Sequence, residues 1–153
     1  MTTLPTASAL RRVGGLALVA GSVFVSVGAS AWLTVSKQLS DEKITVPGNA
    51  PRFKGKPVKG PATAYVEALV IKSNAERGAG GRTFADISEA LRGVEAGSAE
   101  ETELRKQSSS LSTGAALRTS LMTSVLAFGV SAFAVGLGAF FLIVGSQLGR
   151  VRR

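Results

Sequence analysis

Two stretches of this chain, 13–35 and about 121–144, contain no charged residue and consist almost entirely of apolar and small side chains. A helix of roughly 20 such residues crosses the hydrocarbon core of a bilayer, and both runs reach that length. The expected architecture is mainly α, with two transmembrane helices flanking a small, partly irregular helical extracytoplasmic domain. The boundaries read as a cytoplasmic tail over 1–12 and a first span over 13–35. The extracytoplasmic domain follows over 36–117. A second span with an interfacial start covers 118–146, and a basic cytoplasmic tail covers 147–153. At 153 residues the chain has room for one compact unit besides the spans. So small a segment buries a modest core and leans on the bilayer or a partner.

Charge placement orients the spans. All ten acidic residues lie between Asp41 and Glu103, whereas the tails carry only Arg11, Arg12, Arg150, Arg152 and Arg153. Short cationic tails beside spans belong on the cytoplasmic side. Thirteen of the eighteen basic residues do lie between Lys37 and Arg118. A long translocated segment is largely exempt from the rule, so both termini are expected in the cytoplasm of a multi-pass plasma-membrane protein.

The N-terminal run has a competing reading. Arg11-Arg12, an apolar stretch from Leu16 to Val27 and Ala29-Ser30-Ala31 have the layout of a cleavable signal peptide. The apolar run continues through Trp32, Leu33, Thr34 and Val35, however, which is longer than a signal core and favours a retained span. Trp32 falls where interfacial aromatics sit.

Small residues recur on one stripe of each span: Gly15, Ser22, Ser26 and Ala29 on the first, Gly129, Ala132, Gly136 and Ala139 on the second. Such stripes let backbones approach closely in lipid. They suggest an antiparallel hairpin packed through those faces, or docking onto another membrane protein. Phe128, Phe133, Phe140, Phe141 and Leu142 are expected on the lipid side. Thr123, Ser124 and Ser131 are expected to bond back to their own helix. Neither span carries the ionisable groups on which transporters and pumps rely.

The segment between the spans begins with a short candidate strand, Ile44 to Val46. Repeated Pro and Gly between Pro47 and Pro61 then break regular structure. Arg52, Lys54, Lys56 and Lys59 cluster there without an acid, which fits either a solvated loop or contact with anionic lipid or wall polymer. Pro61 suits the first turn of a helix, with Tyr65, Val66, Leu69 and Val70 as its apolar stripe. Gly78-Ala79-Gly80-Gly81 reads as a helix stop. Thr83 and Asp86 resemble a capping box that opens a second helix striped by Phe84, Ile87 and Leu91. Residues 97–107 read as a linker or exposed helix, Ser108 to Gly114 as flexible or capping, and Ala115 onward as helix. Arg118 is placed to snorkel at the outer interface.

The chain contains no Cys and no His. That removes disulfides, thiolate chemistry, the usual neutral-pH general base and the commonest transition-metal ligand. No cofactor, metal site or catalytic residue is expected. Catalysis by the carboxylates Glu67, Asp86 and Glu89 is the weakest of the functional readings. Nucleic acid is a poor partner, because only Phe53 is available to stack within the basic cluster.

The stretches DEKITV after the first span, GPATAYVEALVI, GGRTFADI and LRTSLMTSVLAFGVSAFAVGLG occur in that order. Over about 38–138 the chain resembles a group of small two-span membrane proteins of actinobacteria. The stretch GVEAGSAEE departs from that pattern. The group often carries the label of aromatic ring-opening dioxygenase, which the lack of any His to ligate iron contradicts. The resemblance implies an actinobacterial membrane protein and transfers no catalytic residue.

Three functions follow in decreasing order. The first is a non-catalytic accessory or scaffold subunit of a membrane or envelope assembly, its partners being the bilayer and another membrane protein or a second copy. The second is an envelope-binding module acting through Arg52 to Lys59. The third is a carboxylate-based enzyme. No small-molecule substrate is evident.

Overall fold

The computed structural model describes residues 7–150, so Arg152, Arg153 and the start of the N-terminal tail lie outside the described residues. The described chain forms four helices: α1 (Ala7–Asp41), α2 (Pro61–Gly78), α3 (Phe84–Gly93) and α4 (Ala99–Gly149). Two of them, α1 and α4, are long and apolar enough to cross a membrane. The chain divides into two compact units, one of residues 1–37 with 126–153 and one of residues 38–125.

In the first unit the apolar parts of α1 and α4 pack together through a repeated small-residue contact, described below. Most other side chains there face outward, among them Leu16, Val19, Val27, Leu126, Val130 and Phe133. That is the reverse of a water-soluble hairpin, whose exposed faces would be polar. Inside this unit Phe128 is 1% exposed and meets Trp32 edge to face, with ring centroids 4.6 Å apart. Phe141 stacks on Phe24. Phe128 and Phe141 therefore belong to the helix contact and not to the lipid surface, while Phe133 and Phe140 do face outward. Leu142 also turns toward the contact, since its Cγ is the neighbour that a Cβ on Gly21 would strike.

The second unit begins with the last turn of α1. Residues 42–60 then fold back on themselves. The Val46 N–H donates to the Lys56 carbonyl (3.0 Å) and the Val58 N–H to the Ile44 carbonyl (2.9 Å). An isolated antiparallel bridge joins Thr45 to Pro57, in place of the expected strand. Pro57 carries no N–H to extend a ladder. Gly55 takes the left-handed conformation that the tight return needs (φ 69°). Val46, Ala50 and Val58 are almost fully buried.

Pro61 opens α2 at its first position, and the Thr63 hydroxyl accepts the Gly60 N–H (3.3 Å). The buried face of α2 is Ala64, Val66, Glu67, Ala68 and Val70. Tyr65 and Leu69, expected on the apolar stripe, are exposed. At the other end the Gly81 N–H reaches back to the Glu76 carbonyl (2.8 Å), with both Gly80 and Gly81 at positive φ. This glycine stop matches the sequence reading.

The Thr83–Asp86 capping box forms on both sides: the Thr83 N–H donates to the Asp86 carboxylate (2.7 Å) and the Asp86 N–H to the Thr83 hydroxyl (3.3 Å). Ile87 of α3 is fully buried in a cluster with Ala79, Leu104 and Leu111, against which Leu91 and Val94 pack. Phe84, the third member of the expected stripe, is exposed.

The largest difference from expectation is the start of α4. It is helical from Ala99, so Ser108 to Gly114 is neither flexible nor a cap but lies inside a helix of 51 residues. A second capping motif starts it: the Ser98 hydroxyl accepts the Glu101 N–H (3.0 Å), and the Glu101 carboxylate accepts the Gly97 N–H (2.6 Å). Leu104 and Leu111 supply the burial that holds this part of α4, and Gly114 admits Ala75 of α2 against the helix backbone.

Candidate functional site

Two features stand out, one in each unit. The first is a seam of glycines. Gly14, Gly21 and Gly28 recur every seven residues along α1, and Ser131, Gly138 and Gly145 recur at the same interval along α4. Gly14 faces Gly145, Gly21 faces Gly138, and Gly28 faces Ser131. A Cβ on Gly14 would stand 2.9 Å from the Gly145 carbonyl oxygen, and one on Gly28 would stand 2.7 Å from that of Ser131. Real side chains do not come so near backbone, so only hydrogen fits at the glycine positions. Carbonyl oxygens held this close to Cα–H groups add weak polar attraction to the van der Waals contact. A seven-residue repeat is the one a left-handed supercoil keeps in register. Ser131, 3% exposed, donates its hydroxyl proton to the Ala127 carbonyl (2.8 Å). Thr123 and Ser124 bond back to their helix in the same way, as expected.

The small residues singled out in the sequence do not make this seam. Gly15, Ser22, Ser26 and Ala29 are all exposed within the unit, as are Gly129, Ala132, Gly136 and Ala139. A Cβ on Gly15, Gly129 or Gly136 would meet nothing within 4 Å. The reason is rotational. Positions 15, 22 and 29 each follow a seam residue by one, which turns them about 100° around the helix axis. The hairpin is thus built through Gly14, Gly21, Gly28, Ser131, Gly138 and Gly145, and the neighbouring set of small residues points outward.

The second feature is a cavity of about 490 Å3 inside the second unit. Leu39 lines it from the last turn of α1, and Glu42 and Ile44 follow from the segment after that helix. Glu67 and Ile71 contribute from α2, with Leu117, Ser120, Leu121 and Ser124 from α4. Its walls are mainly apolar. Glu67 is only 6% exposed, and its Oε2 is buried without a hydrogen-bond partner. Burial pushes the Glu67 carboxyl above the usual carboxylate range, because the charged form loses its hydration. A buried polar atom left unmatched costs free energy in the folded state. The sequence names Glu67 as one of three candidate carboxylates, but nothing in its spacing signals its burial.

The other two carboxylates sit apart from this cavity. Asp86 is committed to Thr83, whose backbone N–H holds its carboxyl below the usual range. Glu89 is exposed on α3. Among the described residues no three Asp, Glu, His or Cys side chains converge as a metal site would require. Arg52, Lys54, Lys56 and Lys59 are all exposed on the folded-back segment.

Comparison with known protein families, curated proteins and solved structures yields no match.

Proposed function

We propose that the chain is a non-catalytic, two-pass plasma-membrane protein, with both termini cytoplasmic, that serves as an accessory or scaffold subunit of a membrane or envelope assembly. The observation that carries this reading is the glycine seam. Backbones that approach so closely over three successive contacts form a hairpin with little freedom to gate or rock. Spans without charged residues offer no path for an ion or proton. The exposed small residues Gly129, Ala132, Gly136 and Ala139 leave a shallow, outward face on α4 of the kind to which another membrane helix packs.

Affinity purification from membranes in a mild detergent tests the reading. A stoichiometric membrane partner, or self-association, is the expected result. Recovery of a lone monomer would sink it.

A second reading has its own support, the four exposed cations on a stretch that carries no carboxylate. An envelope-binding module predicts that replacing Arg52, Lys54, Lys56 and Lys59 with Gln weakens binding to anionic vesicles at low salt. Unchanged binding removes that reading.

A further inference from the structure

We infer that the cavity beside Glu67 is a binding site for an amphiphilic primary amine, with its ammonium group on Glu67 and its hydrocarbon chain against Leu39, Ile44, Ile71 and Leu121. The inference stands on the hydrogen-bonding inventory of the cavity and does not depend on the scaffold reading.

The polar side chains that line the cavity are two hydroxyls and two carboxyls. The Ser120 hydroxyl gives its proton to the Ala116 carbonyl (3.1 Å), and the Ser124 hydroxyl gives its own to the Ser120 carbonyl (3.2 Å). A hydroxyl that has spent its proton keeps only lone pairs. A carboxylate that pairs with an ammonium accepts its N–H groups and has none of its own to give. No Lys or Arg lines the space. An anion therefore meets no side-chain cation here, whereas an ammonium brings three donors and no acceptor. Glu67 lines the same space, and its carboxyl is the acid that pairs with such a group.

The walls define the rest of the ligand. Five of the nine lining residues are Leu or Ile, and a cavity of this size lies in the usual range for small-molecule sites. Two carboxylates among apolar walls make a poor cage for a hard metal ion, which wants six or more oxygens or retained water. Water alone is poorly matched to such walls. A chain of several methylenes fills the space while removing apolar surface from water.

The test uses the full chain in phospholipid nanodiscs, with empty nanodiscs subtracted, and equilibrium dialysis of octylammonium, octanol, octanoate and octyltrimethylammonium at neutral pH. Octylammonium is expected to bind at least tenfold more tightly than the other three, including the trimethylated cation, which has no N–H to donate. Glu67→Gln should abolish that preference, and Leu117→Trp at the exposed rim should weaken binding of octylammonium. The comparison among the four probes on the unaltered chain stands even if a variant folds poorly. Absence of binding above empty nanodiscs would overturn the inference. So would octylammonium binding no tighter than octanol or octyltrimethylammonium, or a folded Glu67→Gln chain that keeps the preference.

Discussion

Gly21 and Gly138 oppose each other so closely that a Cβ on either would stand 2.7 Å from the carbonyl oxygen of the other. The clash is with backbone on both sides, which cannot rotate away as a side chain can. Gly21→Ala and Gly138→Ala are each expected to destabilise the hairpin by about 1–3 kcal/mol, the usual cost of overpacking. Gly15→Ala and Gly136→Ala meet open space and should be neutral or stabilising by up to ~1 kcal/mol, because alanine favours helix. Thermal unfolding in detergent, followed by circular dichroism, separates the two pairs. Equal effects in both would show that the seam is not where the helices meet.

Glu67 makes stability depend on pH in a defined sense. Its folded carboxyl titrates above the ordinary range because burial disfavours the charge. Between the unfolded and folded values the native state holds a proton that the unfolded chain has released. Stability therefore falls as pH rises through that window and is unpenalised below it. Glu67→Met removes the acid while keeping a similar shape. It is expected to raise stability at neutral pH by on the order of 1 kcal/mol, with the gain vanishing in acid. Denaturant midpoints across pH check this; a gain that persists in acid would contradict it.

The two capping motifs act locally. Thr83→Ala and Ser98→Ala should each cost about 1 kcal/mol and speed amide exchange in the first turns of α3 and α4 respectively. Asp86 has the opposite sign to Glu67. Its carboxyl is held low by the Thr83 backbone N–H, so its contribution is present at neutral pH and is lost as pH falls through the depressed value. Asp86→Asn should accordingly be destabilising near neutrality and have no effect in strong acid.

The absence of cysteine gives a direct test of orientation. Single cysteines at Lys54 and at Arg150, both exposed, can be labelled on intact cells with a membrane-impermeant maleimide. With termini inside, Lys54→Cys labels at once and Arg150→Cys labels only after permeabilisation. The reverse pattern would overturn the orientation.

What the sequence discloses follows the range of the physics involved. Both apolar helices, the proline start of α2, the glycine stop at Gly80-Gly81 and the Thr83 cap are legible because each depends on a few neighbouring residues. The start of α4 is equally legible in Ser98-x-x-Glu101, yet the charged character of 97–107 reads as either a linker or an exposed helix, of which the structure has the helix. Only the distant contacts of Leu104 and Leu111 reveal why that stretch is helical. The seam was there to be read in Gly14, Gly21, Gly28, Gly138 and Gly145. Gly15, Ser22 and Ala29 repeat at the same interval of seven, so spacing marks two adjacent small-residue stripes and only the packed structure shows which one faces the partner helix. Glu67 lies beyond local reasoning: its neighbours Val66 and Ala68 are buried as well, so no amphipathic alternation marks which side chain turns inward.

The seam is also a ruler. Each step of seven along α1, from 14 to 21 to 28, is answered by seven back along α4, from 145 to 138 to 131. A slip of one residue turns the seam positions about 100° away from the contact, while a slip of a whole repeat gives up one of the three contacts. The three contacts together set the alignment of the two helices. Alignment is stored within the hairpin itself. Residues can be gained or lost in the irregular connections, around Gly55 or at Gly97, without erasing it.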